Sequence, residues 1–108
     1  MDRQQEASLA GKVVIITGAS RGVGKETAFY FARRGAKLVL AARTVEPDKV
    51  LPGTLGETLQ QIEAIGGEAI AVATDLAREE DLIALVAKTV ERFGGVDVLI
   101  NHAGDTAG

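Results

Sequence analysis

The sequence predicts an α/β fold: a parallel sheet of four short strands with three helices packed on it. Two observations carry that prediction. Short apolar runs at residues 13–17, 38–42, 69–74 and 96–101 alternate with segments whose apolar residues recur at helical spacing, the pattern of strand-helix units. The runs are short and apolar on both faces, as strands covered by helices above and below must be. A chain of 108 residues that is 46% hydrophobic has enough apolar material for one core, and no linker or repeat divides it.

The first run, Val13-Val-Ile-Ile-Thr17, enters a segment with glycine at positions 18, 22 and 24. A helix is predicted over 22–34, where Gly24, Ala28 and Phe31 share one face and the small residues permit a close approach to the sheet. Gly35 supplies its stop. After the strand at 38–42, residues 44–53 break both periodicities with Pro47 and Pro52 and form a loop. The second helix, 54–65, places Leu55, Leu59, Ile62 and Ile65 on one face and ends at Gly66-Gly67. The third, 80–93, does the same with Leu82, Leu85, Val86, Thr89 and Phe93 before Gly94-Gly95.

Charge and composition exclude several functions. Twelve Lys and Arg against 15 Asp and Glu give a net charge of -3, without the basic field that nucleic-acid binding uses, so no nucleic-acid partner is expected. The absence of Cys rules out disulfides and thiolate metal sites and fits a reducing compartment, with the cytoplasm as the default. The polar first ten residues do not resemble a secretory signal. No apolar run approaches the ~18 residues of a membrane span, so no membrane partner is expected.

At a strand-to-helix turn, phosphate recognition needs outward-facing backbone N–H groups and no obstructing side chains, which Gly18, Gly22 and Gly24 provide. The positive end of the following helix dipole favours an anion there, and a pyrophosphate is the natural guest. A tight connection without a ligand is the plainer alternative. A nucleotide-hydrolysing P-loop is another, suggested by Gly24-Lys25, and it fails twice. The spacing from Gly18 to Gly24 is one residue too long, and Glu26 stands where a magnesium-binding Ser or Thr is required.

Thr17-Gly-Ala-Ser-Arg-Gly-Val-Gly24 resembles the T-G-x-x-x-G-x-G motif of the short-chain dehydrogenase/reductase family. Asp75-Leu76, after the third strand, resembles the family's adenine-contacting acidic position, and Asn101-His-Ala-Gly104 resembles its N-N-A-G motif. The three occur in the family's order across almost the whole chain. The resemblance implies a partial Rossmann-type parallel sheet with strand order 3-2-1-4, and a single NAD(P)-binding domain over residues 1–108 that forms the N-terminal part of a longer fold. It implies that Gly18, Ser20, Arg21, Gly22, Val23 and Gly24 form the cofactor turn, that Asp75 and Leu76 meet the adenine, and that Ala103 and Gly104 line the ribose. Asn101 is then a brace between strands. His102 departs from the motif, replacing its second Asn, and is taken as a tolerated polar substitution.

In dinucleotide folds a carboxylate at the end of the second strand holds the ribose hydroxyls of NAD, whereas an arginine there accommodates the 2'-phosphate of NADP. This strand ends Ala41-Ala42-Arg43. Ala42 removes the repelling carboxylate and Arg43 offers a planar fork of donors, with Arg21 able to approach from the glycine turn, so NADP is expected over NAD. The proline-bearing loop with Lys49 is read as a neutral surface insertion, with a cover over the adenosine end as the alternative.

By resemblance, family members transfer a hydride between the nicotinamide and a carbonyl or alcohol carbon, using a Tyr, a Lys, a Ser and an Asn. Here Tyr30 is followed four residues later by Arg34, not Lys, and Ser8 and Ser20 lie in the leader and the cofactor turn. No catalytic residue is assigned, and the chain is expected to be catalytically incomplete. The fourth strand is expected to be an open edge through which the chain associates with further copies or belongs with a longer protein. A non-catalytic NADP-binding module and an inactive fragment are the alternatives.

Overall fold

In the computed structural model, which describes residues 9–17, 22–42 and 55–101, the apolar runs form four strands: β1 (Val13–Thr17), β2 (Lys37–Ala42), β3 (Glu68–Ala73) and β4 (Val98–Asn101). Three helices connect them: α1 (Gly22–Arg33), α2 (Leu55–Ala64) and α3 (Glu79–Phe93). The strands form one parallel sheet in the order β3-β2-β1-β4, the order expected from the sequence.

Alternation along each central strand sends side chains to opposite layers. Val14 and Ile16 of β1 and Leu38 and Leu40 of β2 pack with Ala28 and Ala32 of α1 and Ile62 of α2. Ile15, Val39, Ala41 and Val72 point the other way, to Leu85 and Phe93 of α3. β1 is buried along its whole length, which is why an unbroken apolar run specifies it. Gly24 and Ala28 are buried, as a helix seated close on a sheet requires.

Several sequence expectations need correction. α1 ends one residue earlier than predicted, at Arg33, and Gly35 follows with φ +88, a left-handed turn that only glycine enters easily. β3 runs 68–73 instead of 69–74. β4 begins at 98 instead of 96, because Asp97 turns its carboxylate back to the chain, accepting from the Val13 N–H at 2.9 Å. Ile65 lies beyond the end of α2 and is exposed, although its spacing placed it on the buried face.

The largest correction concerns α3. Leu85 and Thr89 are buried, but Leu82 and Val86, predicted to share their face, are exposed, together with Ile83 and Val90. The apolar arc of α3 is wider than the strip the sheet covers. On the same side of the sheet as α3, Leu99 of β4, in register with Ile15, is 63% exposed. Leu82, Ile83, Val86 and Val90 on α3 and Leu99 on β4 are apolar side chains that nothing among the described residues covers. β4 is thus the one described strand that departs from the expectation of helices above and below.

Candidate functional site

Registers bring the strand ends to a common edge: Thr17 stands opposite Ala41 and Asn101, and Ala42 opposite Ala73. The segments that follow β1, β2 and β3 therefore all leave from one side of the sheet. The helix following β1 packs on one face, while α3, which leads into β4, packs on the other. Between β1 and β4 the strand order reverses, and the crevice outside such a reversal is where open α/β sheets hold their ligands.

α1 starts at Gly22, so its N-terminal N–H groups and the positive end of its dipole lie at this edge beside the end of β1. Its first turn carries no acidic residue. Lys25 instead pairs with Glu57 of α2 at 3.1 Å, both side chains about three-quarters buried, and its ammonium lies 6.0 Å from the Phe29 ring centre. That engagement agrees with rejecting a P-loop role for Lys25.

After β3 the chain is held by successive hydrogen bonds. Thr74 donates its N–H to the Ala42 carbonyl at 2.7 Å, binding this segment to the end of β2. Asp75 then uses three of its polar groups locally. Its N–H donates to Oδ2 of Asp81 at 2.8 Å, its carbonyl accepts from the Arg78 N–H at 2.9 Å, and its Oδ1 accepts from the Ala77 N–H at 3.0 Å. Among the described residues Oδ2 of Asp75 accepts no hydrogen bond, which leaves a carboxylate oxygen for a ligand at the common edge. Leu76 follows, partly buried.

Asn101 closes the edge on the β4 side, its Oδ1 accepting from the Thr17 hydroxyl at 2.8 Å. The bond fits the brace expected of it. Gly22, Val23 and Gly24 lie in the first turn of α1, and Asp75, Leu76 and Asn101 at the ends of β3 and β4, so the structure brings these sequence-selected residues to one edge. Gly18, Ser20, Arg21, Arg43, His102, Ala103 and Gly104, with the loop at 44–53, lie outside the described residues.

Tyr30 is half exposed on α1. The Arg34 guanidinium stacks 3.6 Å from its ring centre, and Phe31 meets it edge-on at 5.4 Å. Sequence reasoning missed Asp81 and Glu57. The available signal for Asp81 was an acidic residue in the first turn of a helix, where its side chain can reach back to a preceding N–H. Among the described residues there is no group of three or more His, Cys, Asp or Glu placed to hold a metal, and no helix is long and apolar enough to cross a membrane.

Comparison with known proteins agrees with this geometry. The family model for short chain dehydrogenase matches residues 12–108. Human hydroxysteroid dehydrogenase-like protein 2 is 45% identical over 95 residues, covering 88% of this chain and 23% of that protein. The crystal structure of hydroxysteroid dehydrogenase from Escherichia coli superposes with a TM-score of 0.77 at 34% identity, over 89% of this chain and 37% of the other. A short-chain dehydrogenase/reductase from Burkholderia phymatum, solved in complex with NAD, gives a TM-score of 0.73 at 37% identity, over 84% of this chain and 30% of the other. The chain thus spans between about a quarter and two-fifths of the length of these relatives. The sheet order, the shared edge and the match from Lys12 to Gly108 lead to one conclusion: this chain belongs to the short-chain dehydrogenase family.

Proposed function

We propose that this chain is the NADP-binding part of a short-chain oxidoreductase that transfers a hydride between NADP(H) and a carbonyl or alcohol substrate. The observation that carries the reading is the shared edge, where the start of α1, the Asp75 Oδ2 that accepts no hydrogen bond among the described residues, and the Thr17–Asn101 bond lie at the reversal of strand order. This donor and acceptor set fits an adenine dinucleotide: N–H groups at a helix start for a pyrophosphate and a carboxylate oxygen for an amino group. When bound, the nicotinamide supplies the hydride-carrying carbon.

In this reading Gly18, Ser20, Arg21, Gly22, Val23 and Gly24 surround the pyrophosphate, Asp75 and Leu76 meet the adenine, and Ala103 and Gly104 meet the ribose. Asn101 keeps β4 beside β1. Arg43 holds the 2'-phosphate, supported by its place directly after Ala42 and by the lack of a carboxylate at that strand end. No catalytic residue is assigned within these 108 residues. The residue four positions after Tyr30 is Arg34, which stacks on its ring, and not the lysine of the family's Tyr–Lys pair.

The chain is further proposed to associate through the β4 edge and the exposed apolar side chains of β4 and α3, since an apolar strand edge favours pairing. The lack of Cys supports a reducing compartment such as the cytoplasm.

Fluorescence titration of the purified chain with NADPH and NADH tests the cofactor assignment. Arg43→Asp is expected to weaken NADPH by about tenfold or more, the scale of a lost charge-assisted contact, with little effect on NADH. Equal losses for the two cofactors would refute the assignment.

A further inference from the structure

Asp75 would meet the adenine only if its carboxylate is presented at the sheet edge, and the local sequence does not secure that unaided. The segment from 74 to 78 contains no glycine or proline to fix its turn, and the N-cap of α3, Arg78, has an extended backbone (φ -111, ψ 120) and no side-chain capping bond. The turn is fixed from within α3. Asp81, the third residue of that helix, extends back past the N-cap and accepts the Asp75 N–H on Oδ2 at 2.8 Å, across six residues. In an ordinary capping box the third helical residue accepts from the N-cap N–H instead. Here the Arg78 N–H is already held by the Asp75 carbonyl at 2.9 Å, and the carboxylate goes to Asp75.

We infer that Asp81 is a positioning residue for the adenine contact, acting through the backbone of Asp75; the inference rests on the proposed role of Asp75. With its N–H on Asp81, its carbonyl on Arg78 and its Oδ1 on Ala77, Asp75 has both its main chain and one carboxylate oxygen fixed, and Oδ2 is left over. A charged acceptor makes this tie stronger than a neutral one, and the N-terminal turn of α3 is where a helix favours a carboxylate. The consequence is specific to the base. Loss of the tie releases the presentation of Asp75 while the pyrophosphate turn at the start of α1, on other elements, is unaffected.

The test compares binding of NADPH with its hypoxanthine analogue, which lacks the exocyclic amino group, by fluorescence titration of the full 108-residue chain. The wild-type chain is expected to prefer NADPH by about tenfold, the scale of one hydrogen bond to a charged group. Asp81→Ala is expected to bring the preference close to one, and Asp81→Asn, which retains an acceptor oxygen, to restore most of it. A merely structural role would weaken both ligands equally and leave their ratio unchanged, which would overturn the inference about Asp81 alone. A wild-type chain indifferent to the base would overturn the role of Asp75, and the inference with it. Amide hydrogen exchange in the unsubstituted chain examines the same bond without any variant: the Asp75 N–H is expected to be protected, and exchange at the rate of a free loop amide would overturn the tie.

Discussion

Thr17 and Asn101, the last residues of β1 and β4, are joined side chain to side chain, with the Thr17 hydroxyl donating to Asn101 Oδ1 at 2.8 Å. At the opposite end of the same strand pair, Asp97 both donates its N–H to the Val13 carbonyl and accepts the Val13 N–H, each at 2.9 Å. Thr17→Val keeps the branched shape of a buried side chain and removes the hydroxyl. It is expected to cost about 1 kcal/mol, the net worth of a typical hydrogen bond. Urea unfolding checks this, and an unchanged midpoint would show the bond to be idle.

Adjacent residues of α3 should respond very differently to the same change. Leu85 is 3% exposed against the sheet, whereas Val86 is 49% exposed on the uncovered flank of α3. Leu85→Ala is expected to cost about 2–5 kcal/mol, as for other buried leucines, and Val86→Ala less than about 0.5 kcal/mol. Comparable losses in thermal or urea unfolding would mean that the exposed flank of α3 is covered in solution.

Self-association should depend on that flank. Ile83→Lys on α3 combined with Leu99→Lys on β4 places charge on the two most exposed apolar side chains of these elements, 64% and 63% accessible, without entering the core. Light scattering is expected to show the wild-type chain associating as concentration rises and the double variant remaining smaller. Identical masses for the two would exclude this surface as the route.

Two glycines at helix ends separate conformational from steric demands. Gly94 has φ +90 and open space around a built Cβ, so Gly94→Ala is expected to cost about 1 kcal/mol through backbone conformation alone, with Asn tolerated better. At Gly67 a Cβ would lie 2.7 Å from Ile62 Cγ2 and 3.1 Å from the Ile62 carbonyl oxygen. Gly67→Ala is expected to cost about 1–3 kcal/mol by overpacking, and adding Ile62→Val, which removes only Cδ1 and keeps both γ carbons and the carbonyl, is not expected to relieve that clash. Thermal melts of the four variants distinguish the causes.

The Lys25–Glu57 pair links the first turns of α1 and α2 at 3.1 Å with about a quarter of each side chain accessible. A double-mutant cycle through Lys25→Met and Glu57→Gln is expected to give a coupling near 1 kcal/mol, at the upper end for partly solvated pairs, and to fall in high salt. Zero coupling at low salt would make the pair incidental.

The sequence made β1 legible to the residue, because four apolar positions and Thr17 lie between Lys12 and a glycine and every one of them is buried. The start of β4 was not legible: Val96 extends the apolar run, and only the contact of Asp97 with Val13 shows where strand pairing begins. On α3 the sequence shows all the apolar positions but not how wide a strip the sheet covers, so Leu82 and Val86 were grouped with Leu85. At the site, Asp75 and Asn101 were singled out by their resemblance to motifs of the family. The tie from Asp81 depends on the path of a short turn, which no periodicity encodes.

The strand order also has a consequence in time. β1, β2 and β3 are neighbours joined by successive helices, while β4 must find β1 after more than 80 residues have intervened, closing the longest loop in the sheet. β1, β2 and β3 with α1 and α2 are therefore expected to assemble as an early unit, and β4 to dock last and open first. Pulse-labelling hydrogen exchange during refolding checks this by comparing Leu99 with Val39: early protection at Leu99 would reverse the order. On that ordering, the half of the ligand crevice bordered by Asn101 is completed only in the final step of folding.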